Sequence, residues 1–201
     1  MLKLQLHYKK FIQRGFELKP LNLLLVFQVN CPGCFFYAFP IFNKLYTNLN
    51  HTDISFLGLS TAFEDFDKNT YENTKKLVNK GELIGETKKA MAQHNVESLP
   101  YSINFPIAMD ETVTSIKNIE HAIEHICNIN PNFKIWSEYE QNEMHQKVNF
   151  YLNSLDYISL TFTLNQLRGT PSFILFNSSY EILNSWFGMT QYEDVIKSIN
   201  Y

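Results

Sequence analysis

The most confining stretch of this chain is residues 21–29, Leu-Asn-Leu-Leu-Leu-Val-Phe-Gln-Val, followed after one residue by Cys31-Pro32-Gly33-Cys34. A strand with one wet face alternates polar and apolar residues. A nearly unbroken apolar run therefore reads as a strand covered on both faces. After the cysteines, Phe35, Phe36, Phe39, Phe42, Leu45 and Leu49 recur at helical spacing. A helix is expected to begin inside the cysteine motif, with a kink at Pro40, which has no N–H to donate. A central strand, a turn carrying two thiols and an aromatic helix thus follow one another within thirty residues.

Further buried strands are expected at residues 53–60 and 172–176, and a hairpin partner at 182–186 after a turn at Ser178-Ser179. Residues 103–109 read as a short extended piece, where Pro106 favours an edge or an irregularity. The first twenty residues read as an amphipathic lead-in, a short helix or an irregular arm ended by Pro20. Asp65, Asp67 and Asn69 are candidate N-caps for a helix reaching about Val78, residues 86–93 suggest another helix, and Tyr192–Ile199 a closing one. From 112 to about 166 the pattern is mostly helical, broken at Asn130-Pro131-Asn132. This order predicts an α/β fold, a central mixed sheet flanked by helices, in a single domain spanning 1–201 with a helical insertion at about 112–165.

Composition narrows the function. Of the 201 residues 45% are hydrophobic and 18% charged, too apolar for a disordered chain. Seventeen basic against 20 acidic residues give a net charge of −3, without the basic excess of a nucleic-acid domain. No apolar run reaches the roughly 18 residues of a membrane-spanning helix. The N-terminus, interrupted by Lys3, His7, Lys9, Lys10 and Arg14, lacks the apolar core of a secretory signal. A cytoplasmic location is expected if the chain is complete, a periplasmic or other extracytoplasmic one if a signal segment has been removed.

Three cysteines cannot scaffold a secreted domain, so the close pair points to reactive chemistry. A thiol at a helix N-terminus meets free backbone N–H groups and the positive end of the helix dipole, which favour the thiolate. Thiolate is the nucleophile of disulfide exchange. Cys31 is the expected attacking thiol. Cys34, one turn inward, is placed to resolve the mixed disulfide. Pro32 and Gly33 bring no charge, so tuning must come from the backbone and the surroundings.

The combination of the 21–29 strand, Cys31–Cys34, the 54–60 strand, Phe105-Pro106 leading to Asp110, and Gly169-Thr170-Pro171 before the 172–176 strand resembles the thioredoxin-like superfamily. Within it, the pattern is most similar to the TlpA-type and redoxin-like thiol–disulfide oxidoreductases. The resemblance covers roughly 21–110 and 166–200. It implies a redox-active Cys-Pro-Gly-Cys pair exchanging disulfides, with reduction as the expected direction. It also implies that Pro171 is a cis-proline facing the pair and that Thr170 and Pro171 bind an extended substrate. No cofactor is implied. The expected partners are a disulfide-containing protein or a small thiol substrate, and an electron-donating thiol system. The chain departs from the family pattern in four places: Asn30 stands where Trp is usual, Leu25 where thioredoxin has its buried carboxylate, and Tyr37 where some TlpA-type reductases carry an acid. The fourth is Pro40, which lies one residue late. The loop residues Glu64, Asp65 and Asp67 are candidates for a substitute acid.

Two other readings of the same residues stand beside this one. The first is a non-catalytic redox sensor or protein-binding module. The second is a zinc site drawing on His121, His125 and Cys127 together with Cys31 and Cys34. It lacks a second close cysteine pair, and no metal site is expected. Cys127 alone reads as a buried small hydrophobe.

Overall fold

A computed structural model describes residues 2–199; the first residue and the last two of the 1–201 span lie outside it. In chain order the elements are β1 (Tyr8–Gln13), β2 (Leu21–Phe27), a π-helical turn (Cys34–Ala38) running into α1 (Phe39–Leu49), β3 (Ile54–Ser60), α2 (Tyr71–Lys80), α3 (Gly85–Ala92) and β4 (Ile107–Asp110). There follow β5 (Thr112–Val113), α4 (Ile119–Cys127), a 3-10 turn (Phe133–Ile135), α5 (Glu138–Ser154), β6 (Ile158–Ser159), α6 (Leu160–Leu164), β7 (Ser172–Asn177), β8 (Ile182–Phe187) and α7 (Tyr192–Ile199).

Six strands form one mixed sheet in the order β1-β4-β3-β2-β7-β8. The run that reads as doubly covered is β2, at the middle of the sheet, parallel to β3 and antiparallel to β7. Its residues divide by pleat. Leu23, Leu25 and Phe27 join a core cluster with Phe35, Phe39, Phe42 and Leu45 of the following helix, while Leu24 and Val26 join a second cluster with Leu4, Leu57, Leu59 and Phe176. The first cluster holds seven buried phenylalanines. Phe42 meets Phe105 edge-on at 4.6 Å between ring centroids, and Phe27 meets Phe39 edge-on at 4.8 Å, the arrangement the ring quadrupoles favour. Gly58 on β3 permits this packing, because a Cβ there would lie 2.7 Å from the Phe105 ring.

Pro40 shapes the helix that carries the second cysteine. Its missing N–H and its ring disfavour an ordinary turn before it. The chain widens: the Phe39 N–H donates five residues back to the Cys34 carbonyl, and α1 then starts with Pro40 in its first turn. The Phe35 carbonyl, which Pro40 cannot serve, accepts instead from the Tyr101 hydroxyl at 2.7 Å.

Three local expectations are corrected. The lead-in is a strand, β1, antiparallel to β4, with register shifts between Tyr8 and Lys10 and between Phe11 and Gln13. These shifts send Tyr8 and Phe11 to one core cluster and Ile12 to the other, which destroys the two-residue alternation that marks a strand. Because β1 covers β4, the strand after Pro106 is not an edge. The N-cap of α2 is Thr70, whose hydroxyl accepts from the Asn73 N–H; Asp65 and Asn69 are engaged with Asn30 instead.

The helical stretch after β4 has a small core of its own, built from Ala122, Ile123, Ile126, Cys127, Phe133, Val148, Leu152 and Leu164. Its two ends meet in the β5–β6 pair, where Thr112 faces Ser159. At this neck the Asp110 carboxylate accepts from the Thr61 hydroxyl at 2.8 Å and from the Thr161 and Phe162 N–H groups at 3.0 and 3.2 Å. No helix among the described residues is long and apolar enough to cross a membrane.

Candidate active site

β2 ends at Phe27, and after four intervening residues the chain enters a helix whose first residue is Pro32. Proline suits that position, where its missing N–H has no partner to lose. Cys31 precedes it, and its sulfur takes the place of a capping side chain: the Cys34 N–H points at Cys31 Sγ at 3.3 Å. Cys31 is partly exposed and Cys34 is fully buried, and both thiols are free.

Two loops meet at this turn. From one side comes Gly169-Thr170-Pro171. The Thr170–Pro171 peptide bond is cis, Cys31 Sγ lies 3.5 Å from the Thr170 carbonyl oxygen, and the Pro171 ring borders Gly33. All six predicted residues, Cys31, Pro32, Gly33, Cys34, Thr170 and Pro171, thus come together although 135 residues separate Cys34 from Gly169 in sequence. From the other side comes the loop after β3. Since β3 runs parallel to β2, this loop leaves the sheet at the cysteine end.

The electrostatics separate the two thiols. Cys31 is brought down from 9.0 to about 7, first by the hydrogen bond from the Cys34 thiol. Burial works against this, Thr170 and the Cys34 N–H work for it, and the negative charge of Glu64 raises it slightly. Cys34 is pushed well above its ordinary value, chiefly by burial and then by its role as donor to Cys31. One sulfur is therefore partly ionised near neutrality and reachable, while its neighbour holds its proton in the core.

Of the candidate substitute acids, Glu64 acts on Cys31 through space, while the Asp65 carboxylate accepts from Asn30 Nδ2 at 2.6 Å. Asp67 pairs with Lys68 at 3.5 Å. Leu25 is buried in the aromatic core and Tyr37 is exposed. His121, His125 and Cys127 all lie on α4 in the helical stretch after β4, with Cys127 in the small core of that stretch. Among the described residues no group of three or more His, Cys, Asp or Glu side chains is placed to hold a metal ion.

Two residues whose structural roles the sequence does not reveal organise the site: Asn30, which it marks only as a departure from the family pattern, and Gln28. Asn30 ties three segments together. Its N–H donates to Asn69 Oδ1, its Nδ2 to Asp65, and its Oδ1 accepts from the Glu86 N–H in the first turn of α3, so Asn30 caps a helix 55 residues downstream. Gly85 makes room: a Cβ there would sit 2.0 Å from Asn30 Oδ1. Gln28, only 3% exposed, accepts from the Thr170 hydroxyl at 3.1 Å and donates to the Glu64 carbonyl at 3.3 Å. Their one sequence signal is a polar side chain interrupting the apolar run into the cysteines.

No family model matches the chain, and no curated protein sequence matches it. Solved structures do. The central sheet, the cysteine turn and the opposing proline loop define a thioredoxin-like fold. The chain is similar to a thiol-disulfide isomerase from Corynebacterium glutamicum, with a TM-score of 0.57 and 19% identity over 98% of this chain and 92% of the other. It is likewise similar to a thioredoxin-like superfamily protein, with a TM-score of 0.58 and 16% identity over 100% of this chain and 95% of the other. Both alignments run through residues 112–165 as well, so the helical stretch lies within the span of the likeness.

Proposed function

We propose that this chain is a thiol–disulfide oxidoreductase and that it works as a reductase. The observation that carries the reading is the unequal pair: a reachable sulfur at a helix start, ionised near neutrality, hydrogen-bonded to a buried thiol that keeps its proton. The Cys31 thiolate attacks one sulfur of a substrate disulfide, forming a mixed disulfide and expelling a substrate thiolate, which takes up a proton. Cys34 then gives up its proton and attacks Cys31 Sγ, expelling the second substrate thiolate. The substrate gains two electrons and the Cys31–Cys34 disulfide holds the oxidised equivalent, which an external thiol donor reduces again. Thr170 and Pro171, packed against Cys31 and Gly33, are the surface against which an extended substrate lies. We read the whole as one domain in which residues 112–165 are an inserted lobe.

The test is turnover of a protein disulfide with dithiothreitol as donor, together with the midpoint potential of the pair in glutathione buffers. Turnover lost in Cys31→Ser and a potential near about −270 mV support a reductase, whereas a value near about −120 mV assigns an oxidase. A pair that cycles without turning over substrate assigns a sensor or binding module.

A further inference from the structure

β7 and β8 meet beside the cysteine turn. Ser172 of β7 faces Val26 of β2 on one side and Phe187 of β8 on the other, and the Gly188 N–H donates to the Pro171 carbonyl at 2.9 Å. The half-exposed ring of Phe187 lies against Gly169, where an added Cβ would come within 2.9 Å of it. From this ring a cleft of about 330 Å³ runs along the two strands as far as Ile182. Ile174 and Ser185, paired across β7 and β8, line it between those ends, and so do Leu167 and Arg168, just upstream of Gly169-Thr170-Pro171.

Two features bear on what such a cleft takes. The first is charge. Among the described residues lining the cleft Arg168 carries the one charge, and it pairs with no carboxylate of the described residues. A guanidinium offers a planar fork that a carboxylate meets with two hydrogen bonds. The second is length. Five residue steps of extended strand separate Ile182 from Phe187, about 17 Å. A small thiol held on Cys31 spans only part of that distance, whereas a polypeptide can follow it to the end.

We propose that the substrate is a polypeptide disulfide, that the segment flanking its attacked cysteine lies in the cleft between Phe187 and Ile182, and that Arg168 selects a carboxylate in that segment. This rests on the reading of Cys31 as the attacking thiol and of Thr170 and Pro171 as the surface that holds an extended substrate. A chain leaving that surface past Phe187 enters the cleft, where Arg168 stands two residues before Thr170. Arg168 meets no reacting atom; its part is to set which disulfides are attacked.

The experiment measures release of thiopyridone when the reduced full chain meets short peptides activated as pyridyl disulfides. Cys31 bonds to the peptide sulfur, the bond to the pyridyl sulfur breaks, and the departing thiolate takes up a proton as thiopyridone. The peptides share an apolar frame and differ only in the residues on both sides of their cysteine, which are Asp, Asn or Lys. Each rate is divided by that of hydroxyethyl pyridyl disulfide, which is small and uncharged, so that changes at the sulfur cancel. The Asp peptide should react about fivefold faster than the Asn peptide, the effect of one partly exposed ion pair, and the Lys peptide more slowly than either. Arg168→Gln should bring the Asp peptide down to the Asn peptide, and Arg168→Lys should keep a preference of about twofold. Ser185→Trp, which fills the cleft from an exposed position on β8, should lower all three ratios together. Equal ratios for the three peptides in the parent chain overturn the proposal, and so does a preference that survives Arg168→Gln. Unchanged ratios in Ser185→Trp overturn the cleft as the place of binding. A glutathionyl pyridyl disulfide that outpaces the Asp peptide overturns the polypeptide and assigns Arg168 to a small thiol. A chain that releases thiopyridone from none of these compounds overturns the proposed function and this reading with it, an outcome distinct from equal release from all.

Discussion

The cysteine turn and the neck of the helical stretch after β4 both hold an acid displaced from its ordinary ionisation, and both engage it with a threonine. At the turn, Cys31 is brought down to about 7 and remains reachable from solvent. At the neck, burial raises Asp110 from 3.8 to about 6, against the donors of Thr61, Thr161 and Phe162, and its side chain is enclosed, with 2% of the residue exposed. A displaced pKa is thus no marker of chemistry by itself. What distinguishes the turn is a displaced acid that a second molecule can reach, beside a partner that can take over the bond it makes. The neck is a joint: the same kind of group, sealed, fastens one part of the chain to another.

The largest effect that separates the two regions is chemical. Cys31→Ser should lower disulfide turnover at least about a thousandfold while leaving the urea midpoint near the parent's. Cys34→Ser should instead accumulate a mixed disulfide visible by mass spectrometry. Any variant at Asp110 that abolished turnover without unfolding the chain would break the distinction. The next effect is thermodynamic and belongs to the neck. The folded Asp110 carboxyl keeps its proton to higher pH than the unfolded one, so its share of stability is complete below about pH 4. That share, about 3 kcal/mol, is lost as pH rises through about 6. Urea unfolding across that window should show the loss, and Asp110→Asn should flatten it. At the turn, Gly85→Ala should cost about 2 kcal/mol, because it forces Asn30 off the Glu86 N–H at a backbone position with φ of +49°. Hydrogen exchange should then quicken in α3 and spare α4. The smallest effect lies in the helical stretch after β4. Ser137→Ala removes the capping box of α5, in which Ser137 and Glu140 satisfy each other's backbone N–H. It should cost about 1 kcal/mol without changing turnover.

Legibility in the sequence follows the distance over which residues act. β2, β3 and β7 were readable because a doubly buried strand announces itself locally, and the pleat then assigns Leu23 and Leu24 to opposite faces. The cysteine pair and Gly169-Thr170-Pro171 were readable as separate motifs. β1 was not, since its register shifts scatter Tyr8, Phe11 and Ile12 between two cores. The cap of α2 was misassigned because Asp65 and Asn69, good caps by type, are spent on Asn30. The roles of Gln28 and Asn30 were illegible for the same reason in reverse: their partners lie between 35 and 142 residues away, and no local pattern records them.

The β5–β6 pair sets the backbone of Thr112 against that of Ser159, so everything between them leaves and rejoins the sheet at one doorway. Closing a chain over such a gap costs entropy that grows only slowly with the number of residues enclosed. The lobe can therefore lengthen, shrink or exchange its helices while β4 and β7 keep their places, but its doorway opens at the same end of the sheet as the cysteine turn, and Thr61 and Ala62 of the loop between them bond to Asp110 and Ser159, so the residues of the doorway itself are held fixed.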